Sequence, residues 1–61
     1  ISPGGILDKQ PKEFLRKYNQ QCSSKGMLDA NDLSGTLVFL LSDMSQYING
    51  QNIIIDDGWT L

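Results

Sequence analysis

Hydrophobic positions along the chain predict one buried strand near its end. Residues 51–56, Gln-Asn-Ile-Ile-Ile-Asp, place three β-branched side chains in succession with no polar residue between them. This pattern is typical of a strand that is covered on both faces. No second stretch among the 61 residues has a comparable composition. Because every backbone N–H and C=O of a strand needs a partner, we expect the pairing to come from outside the chain and interpret the sequence as part of a larger protein.

An amphipathic helix is predicted from Pro11 to about Cys22. Its apolar residues recur at helical spacing on one face, and its charged and amide residues occupy the other. Pro11 suits the first helical position, where its missing N–H costs nothing. Glu13 and Lys17 are spaced to form an i,i+4 ion pair. Gly26 then supplies a residue that can adopt a left-handed conformation after the helix ends.

A second helix is predicted over residues 30–41. Asp29 and Asp32 have the spacing of a capping box, with aspartate in place of the usual glutamate, just ahead of a leucine stripe. Val38 and Phe39 project away from that stripe, so the helix is apolar around much of its circumference. Such a helix must be covered on more than one side, either by a core alone or by a core and a subunit interface.

Two turns are predicted at the ends of the chain. Residues 2–5, Ser-Pro-Gly-Gly, suit a type II turn, in which proline sets the first central φ and glycine supplies the positive φ that follows. Glycine also lets a ligand approach the main chain closely. Residues 56–58, Asp-Asp-Gly, are expected to form a strand-end turn, because the spaced oxygen ligands of a calcium loop are missing. The helix before the strand is typical of the second half of a βαβ crossover, whose first strand would end at or before Ile1.

Composition and charge argue against several functions. A net charge of −2 without a cluster of Lys and Arg offers no surface for a nucleic-acid backbone or an anionic membrane. The longest apolar run, residues 37–41, is far shorter than the roughly 20 residues that cross a bilayer, so a soluble, cytoplasmic protein is expected. Cys22 is the single cysteine and histidine is absent. We therefore predict no internal disulfide and no metal site, and interpret Cys22 as a packing residue.

Short motifs lie in order along the whole chain. They are Ser-Pro-Gly-Gly-Ile at 2–6, Asp-Leu-Ser-Gly at 32–35 leading to Phe-Leu-Leu-Ser-Asp at 39–43, Tyr-Ile-Asn-Gly-Gln at 47–51, and Ile-Asp-Asp-Gly at 55–58. Together they resemble the C-terminal quarter of a classical short-chain dehydrogenase/reductase. In that family the motifs correspond to the Pro-Gly turn after the sixth strand, the last major helix, and the entry and exit of the seventh strand.

This resemblance implies an α/β fold, namely the C-terminal part of a Rossmann-like doubly wound parallel sheet with two helices and the last strand, and not a complete domain. By the same resemblance, each part of the chain has an expected role. Residues 1–10 hold the Pro-Gly cofactor turn and the start of the substrate loop, 11–28 the substrate-loop helix, 29–43 the last major helix, 51–56 the last strand and 57–61 the C-terminal tail.

The resemblance also implies that NAD or NADP binds along the Pro-Gly turn. The expected cofactor-binding residues are Pro3, Gly4, Gly5, Ile6 and Asp8, and the backbone of Ile6 is expected to hydrogen-bond the nicotinamide carboxamide. Asp8 departs from the family pattern, which usually has a threonine there. A carboxylate near the cofactor's pyrophosphate would repel it unless the side chain turned outward or formed an ion pair.

The implied parent protein transfers a hydride between the nicotinamide and a carbonyl or alcohol substrate, and assembles as a homodimer or homotetramer through its last helix and last strand. The family's catalytic serine and Tyr-x-x-x-Lys pair lie earlier than this segment. Tyr18 and Tyr47 are followed four positions later by Cys22 and Gln51, so no catalytic residue is predicted here. The alternative function is a small stand-alone binding or interaction module without catalysis.

Overall fold

The computed structural model describes all 61 residues, and its two helices lie between two short parallel strands in the chain order. The elements are β1 (Ser2–Pro3), α1 (Lys12–Gln21), α2 (Ser34–Leu41) and β2 (Ile54–Ile55), with 3-10 turns at Ala30–Leu33 and Asp43–Ser45. Ser2 lies opposite Ile54, and Pro3 lies opposite Ile55. Helices that connect parallel strands confirm the predicted α/β class.

The expectation that β2 finds no partner within the chain is wrong. The N–H of Ser2 donates to Ile53 O, and that of Gly4 donates to Ile55 O, both at 2.8 Å. Along a strand, every second residue donates its N–H to the same neighbouring strand. Pro3 lies between the two donors, so it needs no N–H to pair with β2. The first strand therefore continues past Ile1, although its Ser-Pro-Gly-Gly composition is typical of a turn.

The predicted type II turn at residues 2–5 is also wrong, because neither Gly4 nor Gly5 has a positive φ. Close packing explains the two glycines instead. A Cβ added to Gly4 would lie 2.6 Å from the Cβ of Asp56, and one added to Gly5 would lie 2.7 Å from the Cε of Met27. Both distances are too short for carbon atoms in contact, so this segment has room for the main chain only.

Helix α1 forms where its amphipathic pattern predicts it. Pro11 lies immediately before the helix, with an extended ψ of 148°, and Lys12 is the first helical residue. Glu13 pairs more closely with Arg16, at 2.7 Å, than with the predicted partner Lys17, at 3.9 Å. Beyond the helix, Gly26 adopts the predicted left-handed conformation with a φ of +91°.

The start of the second helical segment carries the predicted capping box. The carboxylate of Asp32 accepts a hydrogen bond from the N–H of Asp29 at 2.8 Å. Lys25 forms ion pairs with Asp32 and, at 3.3 Å, with Asp29. Its hydrogen bond to Asp32 is the main reason why the pKa of that carboxyl lies below its usual value. These contacts tie the start of α2 to the segment that follows α1.

Few residues are buried. Only five of the 61 residues are, namely Gly26, Met27, Leu28, Ser45 and Asp56. The strand that was expected to be covered on both faces is open on one of them, since Ile54 is 53% exposed. The chain is also elongated, with extents of 42 × 21 × 16 Å. Its own side chains therefore do not build a hydrophobic core.

Candidate functional site

The backbone changes partners just beyond the carboxyl end of β1. Up to Gly4 it bonds to β2, and from Gly5 onward it bonds to Leu28 instead. The N–H of Leu28 donates to Gly5 O at 2.8 Å, and the N–H of Leu7 donates to Leu28 O at 2.7 Å. Ile6 consequently lies opposite Leu28 in a parallel bridge. Crevices at the carboxyl ends of parallel strands are the usual ligand sites of α/β sheets.

The N–H of Ile6 is an unused donor at this position. It forms no hydrogen bond within the chain. In a trans peptide the N–H and C=O groups point in opposite directions, and the C=O in the same peptide group, that of Gly5, is bonded to Leu28. The Ile6 N–H therefore points away from Leu28. Its donor is available to a ligand or to another part of a larger protein.

Two side chains hold the backbone on either side of this donor. The hydroxyl of Tyr18 on α1 accepts a hydrogen bond from the N–H of Gly5 at 2.7 Å. The amide of Gln10 donates to Ile6 O at 3.0 Å and accepts from the N–H of Asp8 at 2.7 Å. The segment from Gly5 to Asp8 is thus fixed at consecutive peptide groups. Neither side chain is part of a motif that marks it as a backbone support in the sequence.

Four of the five predicted cofactor-binding residues, Pro3 to Ile6, form one continuous backbone stretch at the end of β1. Asp8 lies beyond it, on an exposed bend where Lys9 has a φ of +59°. The Asp8 carboxylate forms no ion pair. A carboxylate is compatible with a nearby pyrophosphate if it forms an ion pair or turns outward to solvent. Asp8 forms no ion pair, but its side chain is exposed to solvent.

A carboxylate after β2 ties the end of the strand to the segment that follows α1. Asp57 accepts hydrogen bonds from the N–H groups of Ser24, Lys25 and Gly26, at 3.0, 2.5 and 2.6 Å, and from the Ser24 hydroxyl at 2.8 Å. These bonds, the one from Gly26 above all, lower the pKa of Asp57 to about 2. Asp57 adopts a left-handed φ of 52°, as its strand-end position allows. The sequence predicted that turn but not its partner.

The neighbouring Asp56 closes the turn on itself. Its carboxylate is buried and accepts hydrogen bonds from the N–H groups of Gly58 and Thr60, at 3.0 and 3.2 Å. The Cys22 thiol lies 3.9 Å from the carbonyl oxygen of the same residue. Burial raises the pKa of that thiol, and the two nearby carboxylates raise it further. A thiol held in its protonated form is in keeping with the prediction of a packing residue rather than a nucleophile.

The donor set at the end of β1 fits the amide of a nicotinamide ring. An unused backbone N–H offers a hydrogen bond to the carbonyl oxygen of that amide.

Comparison with known proteins then decides the family. A family model described as enoyl-(acyl carrier protein) reductase matches residues 1–60. The structure superposes with a TM-score of 0.94 on the crystal structure of a short-chain dehydrogenase from Leptospira borgpetersenii with bound NAD+, at 41% identity over the whole chain. This chain belongs to the short-chain dehydrogenase/reductase family. The predicted resemblance and the Rossmann-like fold are therefore confirmed.

Two curated relatives illustrate the range of this dehydrogenase family. The post-translational flagellin modification protein A of Campylobacter coli is 59% identical over the whole chain. An NADP-dependent mannitol dehydrogenase of Hypocrea jecorina is 50% identical over 98% of it. The chain spans 24% of the length of each of these relatives, and 24% of the Leptospira dehydrogenase. None of its helices has the length and apolar character needed to cross a membrane.

Proposed function

We propose that this chain is the C-terminal segment of an NAD(P)-dependent oxidoreductase that interconverts a carbonyl and an alcohol. The observation that carries the proposal is the unused N–H of Ile6 at the carboxyl end of β1, within a segment that superposes on an NAD+-bound dehydrogenase. Names of relatives such as mannitol dehydrogenase support the substrate class. The alternative of a stand-alone module is disfavoured, because the chain matches proteins about four times its length.

Each predicted cofactor-binding residue has a distinct part in this proposal. Ile6 donates its N–H to the carboxamide of the nicotinamide, and Pro3, Gly4 and Gly5 form the backbone floor that leads to it. Asp8 turns its exposed carboxylate to solvent, away from the pyrophosphate. The bound nicotinamide supplies or accepts the hydride. Residues of this segment orient the ring and exclude water from it, whereas the acid/base groups come from earlier in the protein.

Neither tyrosine of the segment is assigned a catalytic role. The hydroxyl of Tyr18 is engaged by the N–H of Gly5, and Tyr47, in the turn after the second 3-10 segment, is 87% exposed. A general acid/base must lie within hydrogen-bond reach of the reacting group. These positions support the prediction that the catalytic residues lie outside the 61 residues.

Two substitutions at Ile6 in the full-length protein test the cofactor contact. Ile6→Pro removes an N–H that the fold does not use, so it deletes the donor without breaking an internal hydrogen bond. Ile6→Ala keeps the donor and trims only the side chain. Calorimetry should show a much larger rise in the dissociation constant of NAD+ or NADP+ for the proline variant than for the alanine variant.

Circular dichroism of both Ile6 variants is the control for folding. Equal cofactor dissociation constants for two folded variants would refute the contact at Ile6. Failure of the wild-type protein to bind either cofactor would refute the proposed function as a whole.

We further propose that the parent protein is a homodimer or homotetramer that uses α2 and β2 as its interface. Leu41 and Val38 are 88% and 68% exposed on α2, and Leu61 of the tail is exposed as well. Large exposed apolar side chains mark interaction surfaces, and a self-complementary contact across a two-fold axis would cover these. Phe39 lies on the same helix and is also exposed.

A charged residue at Phe39 should lower the oligomeric state, because an unpaired charge would be buried in the interface. The same change at Trp59 should do so too, although it also removes a ring that stacks on Tyr18. Phe14 on α1, a similarly exposed aromatic, is the matched control for Phe39→Asp. Light scattering that shows a monomeric wild type, or an oligomer indifferent to both changes, would contradict this assignment.

The remaining assignments are also proposals. We assign the substrate loop and its helix to residues 7–28, the last major helix to 29–43, and the last strand to 51–56, as the family resemblance implies. A cytoplasmic location is supported by the free thiol of Cys22, which a reducing compartment would preserve.

A further inference from the structure

The free donor of Ile6 is useful only if its backbone is held in one orientation. Four hydrogen bonds hold its own peptide group and the two that flank it, and two of these bonds are formed with the main chain of Leu28. The other two come from the side chains of Tyr18 and Gln10. Only these two side chains can be changed without altering the backbone of the fold.

Tyr18 is the more firmly placed of the two. It belongs to α1, and its ring stacks between two others, with centroids 6.0 Å from Phe14 and 5.6 Å from Trp59. The carbonyl oxygen of Trp59 is itself held by the side-chain amide of Gln21 at 3.1 Å. A residue fixed by both a helix and the C-terminal tail therefore determines where the N–H of Gly5 points.

The spacing around Gly5 shows how closely this support fits. A Cβ added to Gly5 would lie 3.0 Å from the Tyr18 oxygen and 2.7 Å from the Met27 methyl group. Gly5 is thus enclosed by a hydroxyl on one side and by the segment containing Met27 and Leu28 on the other. The peptide group that contains the Gly5 N–H cannot rotate without breaking its hydrogen bond to Tyr18. The next peptide group along the chain carries the Ile6 N–H.

We infer that Tyr18 is a positioning residue for the cofactor, acting through Gly5 to hold the Ile6 N–H in place for the nicotinamide carboxamide, and that Gln10 supports the same backbone from the other side. This inference rests on the proposed function. It links the helix of the substrate loop to the cofactor: a shift of α1 on substrate binding would be transmitted to the nicotinamide end of the site through one hydrogen bond.

Tyr18→Phe in the full-length protein tests the inference, because it removes the hydroxyl and keeps the stacked ring. The dissociation constant of NAD+ or NADP+ should rise roughly threefold to tenfold, as expected for the loss of one hydrogen bond. Binding of ADP-ribose, which lacks the nicotinamide, should be unchanged. Amide exchange at Gly5 in the cofactor-free protein should become faster. A general loss of stability would weaken the binding of both ligands. Weaker binding of the dinucleotide alone therefore identifies a positioning role.

Tyr47→Phe is the matched control, since the Tyr47 side chain is exposed and forms no hydrogen bond. If Tyr18→Phe does not fold, Gln10→Met is tested in its place. It should weaken binding of NAD+ or NADP+, leave binding of ADP-ribose unchanged, and speed amide exchange at Asp8. Unchanged dinucleotide binding, or equal losses for the dinucleotide and ADP-ribose, would overturn the inference. A wild type that binds ADP-ribose but no dinucleotide would instead contradict the proposed function.

Discussion

Two parts of the molecule are held together in different ways. The scaffold, residues 1–28 and 52–61, is joined by hydrogen bonds between residues far apart in sequence, such as those of Asp57 to the segment after α1. The arm, residues 29–51, forms its own hydrogen bonds only between near neighbours, and Lys25 ties it to the scaffold. The scaffold's polar contacts are internal, with the Ile6 N–H as an exception, whereas the arm lacks a cover for its apolar side chains.

This difference indicates that the scaffold and the arm have different roles. Polar, directional contacts place the backbone around Ile6 to within the tolerance that a hydrogen bond requires. Apolar side chains of the arm are non-directional and contribute stability only when another surface removes them from water. We therefore expect changes in residues 1–28 of the scaffold to alter ligand binding, and changes in the arm, as in β2 and the tail beside it, to alter assembly.

The largest expected effect is the loss of folding in the isolated 61-residue peptide. With five residues buried and a sheet of two two-residue strands, it cannot offset the conformational entropy lost on folding. Circular dichroism should show no cooperative thermal transition, and the arm should promote aggregation. A sharp transition from monomeric peptide would show that the scaffold's hydrogen bonds are sufficient on their own.

Glycine-to-alanine substitutions in the full-length protein compare the two parts directly. Gly4→Ala places a Cβ against Asp56 in the scaffold and should cost roughly 1–3 kcal/mol of unfolding free energy. Gly35→Ala in the arm meets no atom of these 61 residues within 4 Å and should stabilise the helix by about 0.5–1 kcal/mol. Urea unfolding measures both. Equal effects of the two substitutions would remove the distinction between scaffold and arm.

A smaller, pH-dependent effect is expected at Asp57. Its pKa is lowered from an ordinary 3.8 to about 2, so its contribution to stability is fully present above about pH 4 and is lost as the pH falls through 2. Asp57→Asn should lower the melting temperature by several degrees at pH 7, and the difference from wild type should shrink toward pH 2.

Asp43→Asn is the control for Asp57→Asn, because the Asp43 carboxylate accepts no hydrogen bond. A difference between wild type and Asp57→Asn that stays constant with pH would show that the carboxylate's charge does not hold the scaffold together.

Local patterns in the sequence predicted the structural features that are set by residues close together in the chain. The amphipathic spacing of α1, the capping box at Asp29 and the left-handed Gly26 are all set within a few positions, and all are present. The pairing of β1 with β2 was missed, because Ser-Pro-Gly-Gly resembles a turn and its strand character comes from a neighbour about 50 residues away.

The same reason explains the side chains that were missed at the candidate site. The predicted stretch from Pro3 to Ile6 came from a family motif. Tyr18 and Asp57 act across 13 and more than 30 positions, and their own sequence surroundings indicate only a helix face and a turn. Long-range hydrogen bonds of this kind have no local pattern, so only the fold reveals them.

Amide hydrogen exchange of the full-length protein, with and without NAD+ or NADP+, tests the division between scaffold and arm most directly. We predict that the cofactor slows exchange at Ile6, whose N–H has no partner within the chain, and leaves exchange in residues 34–47 unchanged while the oligomeric state is constant. If the cofactor slowed exchange in residues 34–47 and left exchange at Ile6 unchanged, the division between scaffold and arm would be contradicted.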